Sequence, residues 1–290
     1  MCFHERKVKK MKKNLFKAIL MTNLFVSFVV NAETSGYCGP KDSNGNWGTN
    51  CSWEYDTQTH TLTVSGTGKL SGRLGKQTNE NGETTYFNAA PWAEYAKDIK
   101  NAVINEGIEQ IGSYTFYMTN LEHVSIPQSV TVINGQSFQY SRLKEVNLPQ
   151  NLTTIGHAAF NETDIESFVI PASFRGSASH IFGSRNLKNI TIEGNADFSK
   201  VMLQDANLTK LTGIYCDTSN ENCRNLLDDE QIGGKIKFYE KFGDQYLFEG
   251  KFYTSLDDIA ERKYDRKRIY TIDEANRVTG QKNRVSIKYR

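Results

Sequence analysis

The stretch Leu121-Glu-His-Val-Ser-Ile-Pro-Gln-Ser-Val-Thr-Val-Ile-Asn-Gly-Gln-Ser-Phe138 is followed, 22 residues later, by Leu143-Lys-Glu-Val-Asn-Leu-Pro-Gln-Asn-Leu-Thr-Thr-Ile-Gly-His-Ala-Ala-Phe160. Such self-similarity at a fixed period is the signature of a repeat architecture. The same step links Ile99, Leu121, Leu143, Ile165 and Leu187, then Ala102, Val124, Val146, Phe168 and Ile190, then Ile104, Ile126, Leu148, Ile170 and Ile192. In the second half of each unit it links Ile108, Val130, Leu152 and Phe174, then Ile111, Ile133 and Ile155, and finally Phe116, Phe138, Phe160 and Phe182. Pro127, Pro149 and Pro171 close the first half of three successive units. The spacing apolar-x-x-apolar-x-apolar-Pro predicts a short strand with one inward face, ended by a residue that cannot donate to a ladder. One unit buries about six apolar side chains at roughly 2 kcal/mol each, too little to offset about 1.5 kcal/mol of ordering entropy per residue. The units must therefore stack into a solenoid.

The array degrades at its end. Glu193 replaces the Pro, Ala196 and Gln204 stand where Phe174 and Phe182 stood, and Leu208, Leu211 and Ile214 give a blurred echo. In the fourth unit Arg175-Gly-Ser-Ala-Ser179 replaces the usual turn. The two units quoted above resemble the BspA-like leucine-rich repeats of bacterial and protist surface antigens. The flank Cys38-Gly39, Trp53, Thr61-Leu-Thr-Val-Ser-Gly-Thr-Gly68 and Pro91-Trp92 is similar to the segment that often precedes such repeats in secreted members. The resemblance covers about residues 37–195 and implies a leucine-rich-repeat solenoid, export, and adhesion to host or neighbouring-cell proteins.

The expected fold is mainly β with short helices. A signal peptide over 1–32 precedes an N-terminal β cap over 33–98, repeats over 99–215 and an α+β module over 216–290. In the cap, residues 37–70 alternate in strand fashion, covering the open apolar end of the first repeat, and the Gly/Asn/Thr-rich residues 71–90 read as a loop. After Cys223 the period is lost. Strand-like runs over 235–254 are split by Gly243-Asp244 and Glu249-Gly250; capping boxes at Ser255 and Thr271 open two helices, and residues 284–289 alternate as a strand.

Dense positive charge over Lys7–Lys17, thirteen mostly apolar residues from Ala18 to Val30 and the small or aliphatic pair Val30 and Ala32 form the layout of a secretory signal. Thirteen apolar residues fall short of the ~20 needed to span a bilayer, so no transmembrane segment is expected after its removal. The net charge of +2 changes with it. Residues 33–260 hold 18 Lys/Arg against 28 Asp/Glu, whereas residues 261–290 hold ten against four. An acidic body argues against nucleic acid as a partner. The basic tail Arg262, Lys263, Arg266, Lys267 and Arg268 suits an anionic cell-surface polymer, or simply a solvated helix exit. Export also predicts oxidising surroundings, in which Cys38 pairs with Cys51 and Cys216 with Cys223; closing the first loop of about 14 residues is worth roughly 3 kcal/mol.

Motifs of catalysis and nucleotide binding are missing, and no cofactor or metal is expected. Asp42, Asn44, Asn46 and Asp217, Ser219, Glu221 offer alternate oxygens, an incomplete calcium set. The favoured reading is a binding protein whose partner is an extracellular protein or cell-surface polymer. Its candidate surface is the outward strand face: Asn101 and Val103, His123 and Ser125, Glu145 and Asn147, Ser167 and Val169, Asn189 and Thr191. That face lacks the aromatic and Arg residues that dominate interfaces, so Tyr114, Tyr117 and Tyr140 form a second candidate. The alternatives place sugar-directed chemistry in the C-terminal module, with Trp47, Trp53 and Trp92 stacking on sugars and Asp228, Asp229 and Glu230 as acids, or make that module a surface-retention device.

Overall fold

A computed structural model describes residues 34–259 apart from 177, 243, 244, 250, 256 and 257. The expected signal segment, the basic tail, the helix from Thr271 and the strand over 284–289 lie outside the described residues. Of the expected helix at Ser255, Asp258 and Ile259 are described, and Ser255 Oγ accepts the Asp258 amide at 3.0 Å as a capping box requires.

The described residues open with β1 (Ser35–Gly39), β2 (Gly48–Asp56), β3 (Thr61–Gly66) and β4 (Gly68–Leu70). Two short ladders then run along the solenoid. The outer one places β7 (Asn101–Ile104) and β9 (His123–Ser125) parallel to β3, with Leu62, Ala102 and Val124 in one register line. The inner one places β8 (Ile108–Ile111), β10 (Val132–Ile133) and β11 (Thr154–Ile155) parallel to β4, with Leu70, Ile111, Ile133 and Ile155 in line. The cap therefore continues both ladders as well as ending them.

Every member of the six apolar columns is buried except Val124, which is half-buried. The Phe column forms a spine. Trp92 stacks on Phe116 at 5.7 Å, Phe116 on Phe138 at 5.2 Å, and Phe138 on Phe160 at 5.2 Å with planes 4° apart. Trp53 meets Trp92 edge-on at 6.2 Å and both are buried, so these two rings cap the spine and offer nothing to a sugar.

The return turns share a backbone device. Tyr114, Gln136, Ala158 and His180, each 22 residues apart, hold φ between 54° and 60°, and so do Met118, Tyr140 and Glu162 four residues further on. This left-handed region costs a non-glycine residue about 1–2 kcal/mol. It aims the intervening amides at the next turn: Phe116 N donates to Ser137 O, Phe138 N to Ala159 O and Phe160 N to Ile181 O. Replacing Gln136 by Val, a β-branched residue disfavoured there, is expected to cost about 1–2 kcal/mol, whereas Gln136→Gly leaves stability equal or higher. Chemical denaturation of both variants checks this; a Val variant as stable as the Gly variant contradicts it.

A charge column runs beside the first strand position. Lys100, Glu122, Lys144, Glu166 and Lys188 alternate in sign at the repeat spacing. Lys144 bonds Glu122, and Lys188 Nζ lies 2.7 Å from Glu166. The bond from Lys144, then its charge, holds the Glu122 carboxyl below its usual range. Lys210, next in the series, turns instead to Asn186 Oδ1 and the Arg185 carbonyl.

The fifth unit explains the blurred echo. β12 (Ser167–Ile170) and β13 (Asn189–Ile192) keep the 22-residue step, but β14 (Gly213–Asp217) pairs Ile214 with Ile190, a step of 24. The next step returns to 22, with β15 (Ile236–Phe242) placing Ile236 opposite Ile214 in parallel. The period thus survives Cys223, contrary to expectation; two added residues hide it. β15 then turns antiparallel to β16 (Gln245–Phe248), which pairs with β17 (Lys251–Tyr253).

Residues 71–90 also differ from the expected loop. They form a two-stranded ribbon, β5 (Leu74–Thr78) against β6 (Thr84–Asn88), turning through Asn79-Glu-Asn-Gly-Glu83. Asn79 Oδ1 accepts the Asn81 and Glu83 amides, the Asx closure that favours such a turn.

Candidate functional site

The outward strand face is open at one end and covered at the other. Val103 is 37% exposed; His123, Ser125, Glu145, Asn147 and Ser167 are exposed, and His123 Nδ1 sits 3.2 Å from Glu145 Oε1. Asn101 and Asn189 are half-buried and turned to neighbours, donating to Thr59 O and accepting from Thr212 Oγ1. Residues 145–147 form no regular strand, so the outer ladder is split between Ser125 and Ser167.

Beyond Ser167 the face is shut. Val169, Thr191 and Tyr215 stand in register on it, and Thr191 is only 2% exposed. Tyr215 packs with Tyr239, Phe248, Tyr253 and Ile259, and Val169 and Tyr246 lie against that cluster. Phe248 meets Tyr215 edge-on at 5.4 Å. The chain after β15 therefore folds back over the sheet. Tyr239 Oη donates to Ile192 O at 2.8 Å, and burial pushes its phenol far above the usual range, so it stays a neutral donor. Thr191 is consequently withdrawn from any partner surface. The local alternation that pointed it outward carries no record of what covers it.

The three tyrosines of the second candidate surface lie together although no two share a repeat column. Tyr117 meets Tyr114 edge-on at 5.6 Å and Tyr140 at 5.8 Å. Tyr117 is nearly buried, Tyr114 half-buried and Tyr140 46% exposed. Burial raises the Tyr117 phenol, and the neighbouring Tyr140, Tyr114 and Tyr86 raise it further. Tyr86, 49% exposed, belongs to the ribbon and was missed by sequence reasoning because its segment read as a loop. Asn88 docks that ribbon: its buried Nδ2 donates to the Tyr117 carbonyl at 2.9 Å while its Oδ1 accepts the Ala90 amide.

Both cysteine pairs are joined. Cys38 and Cys51 are bonded at the junction of β1 and β2, and Cys216 and Cys223 tie β14 to the short helix Glu221–Arg224. Asp42 Oδ1 accepts the Asn44 and Asn46 amides, and Asp217 Oδ1 accepts the Ser219 amide, so the alternate oxygens close turns. Asp229 faces Lys200 Nζ at 2.9 Å and accepts the Gln231 and Ile232 amides, which hold its carboxyl below the usual range. An acid kept ionised in this way suits an ion pair better than proton donation.

The stacked turns, the in-register ladders and the Phe spine recur at a fixed step, and residues 94–225 match the BspA type leucine rich repeat region in six copies. These residues are a BspA-type leucine-rich repeat array. The chain is also similar to a leucine-rich repeat protein from Eubacterium ventriosum, at 19% identity and TM-score 0.46 over 70% of this chain and 47% of that one. A leucine-rich repeat protein from Bacteroides ovatus matches at 18% identity and TM-score 0.36, over 67% and 52%. The pneumococcal vaccine antigen PcpA matches at 15% and 0.31, over 64% and 66%. The chain spans about half the length of the first two. No functionally curated protein matches it. Among the described residues no helix is long and apolar enough to cross a membrane.

Proposed function

We propose that this BspA-type repeat protein is exported and binds an extracellular protein, with the tyrosine ridge as its principal contact and no catalytic role. The observation that carries the reading is the ridge itself: Tyr114, Tyr117 and Tyr140 are in ring contact, Tyr86 lies near enough to raise the Tyr117 phenol, and Tyr86 and Tyr140 are about half exposed. Tyrosine is among the residues that dominate binding energy, because it buries area at a low entropy cost and keeps a polar tip. The open part of the strand face, from Val103 to Ser167, supports the reading as a flanking polar rim. The charged N-terminal segment followed by thirteen apolar residues and the two disulfides support export.

Saturable binding of the purified protein to intact cells tests this. Trypsin treatment of those cells is expected to abolish binding, and the double substitution Tyr114→Ala with Tyr140→Ala to weaken it tenfold or more. Undiminished binding to trypsin-treated cells would sink the protein-partner reading. Full affinity in the double variant would sink the ridge.

A further inference from the structure

We propose that the base of the β5–β6 ribbon is a second binding site, built for a carboxylate-bearing sugar ring. A cavity of about 460 Å³ opens there, lined by Lys41, Arg73, Leu74, Gly75, Lys76, Phe87 and Ala89. A space of that size accepts one or two sugar rings. Three of the seven lining residues are cationic and none is acidic, although residues 33–260 as a whole hold ten more acids than bases. Among the described residues, none of these three cations makes an ion pair. Their charge is left for something that arrives from outside.

The site is held in place rather than draped. Gly75 stands opposite Phe87 in register, and a Cβ on Gly75 would fall 2.3 Å from the Phe87 ring. The ring thus lies flat over the glycine and keeps 45% of its surface exposed, as an apolar plate. Arg73 is fixed at the ribbon's base, where its carbonyl accepts the Ala89 amide at 2.8 Å, one residue from the buried Asn88. Lys41 is placed by its ammonium lying 4.4 Å from the centre of the Trp47 ring, which orients the cation without neutralising it. Lys76 stands opposite Tyr86 on the other face of the ribbon from Phe87, so it borders the cavity at its edge and Arg73 and Lys41 supply the cations beside the ring.

An aromatic plate beside a guanidinium and an ammonium fits a ring with an apolar C–H face and one anionic group. The guanidinium fork matches a carboxylate with two parallel hydrogen bonds, and the plate takes the sugar's apolar face. A cationic or neutral sugar gains nothing from the charges, and a small inorganic anion gains nothing from Phe87. Uronic acids of extracellular polysaccharides and sialic acids of glycoproteins share this chemistry. The site uses the ribbon face opposite to Tyr86 of the tyrosine ridge, so Arg73 and Phe87 can be changed without touching Tyr114 or Tyr140 and the two proposals are tested separately.

Isothermal titration of the full chain with a hyaluronan hexasaccharide and with a sialylated trisaccharide, each beside its carboxyl-reduced counterpart, tests the proposal. Saturable binding of at least one acidic probe is expected, with the reduced form at least tenfold weaker; the probe that binds tells the source. Arg73→Gln and Phe87→Ala, both at exposed positions that leave the fold intact by circular dichroism, are each expected to weaken it tenfold. Gly75→Ala, which displaces the ring but keeps every charge, is expected to weaken it as well. Equal affinity for the reduced sugars, undiminished affinity in the Arg73 or Phe87 variant, equally tight binding of a sulfated glycan that lacks carboxylates, or no binding of either acidic probe would overturn it.

Discussion

Truncating Phe138 to Ala is expected to destabilise the array by about 3–5 kcal/mol, the range for removing a fully buried aromatic ring. Phe138 is wholly buried in the middle of the spine, stacked at 5.2 Å on both Phe116 and Phe160. Its loss breaks two interfaces at once, because a repeat is stabilised almost entirely by its two neighbours. Cooperativity should therefore suffer along with stability, so that urea unfolding of the variant divides into an N-terminal and a C-terminal step where the parent shows one. Phe138→Leu, which keeps most of the volume, should cost less than about 2 kcal/mol and keep one transition. A loss below about 1 kcal/mol for the Ala variant would mean that the stacked rings are not the core.

Tyr215→Ala is expected to cost a similar 3–5 kcal/mol, with different consequences. Tyr215 lies on the sheet face that pattern alone assigns to solvent, yet it is 2% exposed beneath Phe248, Tyr253 and Ile259. Without its ring the returning chain loses its anchor, and Thr191 and Val169 become accessible. Limited proteolysis should then cut between residues 240 and 259 at enzyme concentrations that spare the parent, while cleavage within the repeats changes little. Equal protection of both proteins would show that the returning chain is not held by Tyr215.

These two positions mark where reading the sequence succeeds and where it stops. Phe138 belongs to a column whose members share one chemistry at one spacing, and such columns map onto the core almost without exception. Tyr215 does not, because the step into its strand is 24 residues and not 22, and a two-residue insertion erases a period while leaving the ladder intact. The covering of this face depends on residues as distant as Phe248, Tyr253 and Ile259, and no local alternation encodes that. The left-handed positions were equally hidden, since Tyr114, Gln136, Ala158 and His180 have no side-chain chemistry in common. The ribbon was the one omission with a legible signal. Asn81-Gly82 followed by Thr84-Thr-Tyr-Phe87 is a hairpin turn by composition. Of the site residues, the tyrosines at 114, 117 and 140 were legible by residue type alone, since no two of them are 22 residues apart, whereas Tyr86, Phe87 and Arg73 depended on recognising that ribbon.

The alternating charges beside the first strand position set an arithmetic on how such a gene can change. Excising a single 22-residue unit would bring Lys100 against Lys144, or Glu122 against Glu166, and leave two like charges on adjacent turns. Excising or duplicating two units together preserves every opposite pairing. Over Lys100 to Lys188 the unit of structure is one repeat, but the unit of inheritance that keeps the electrostatics intact is a pair.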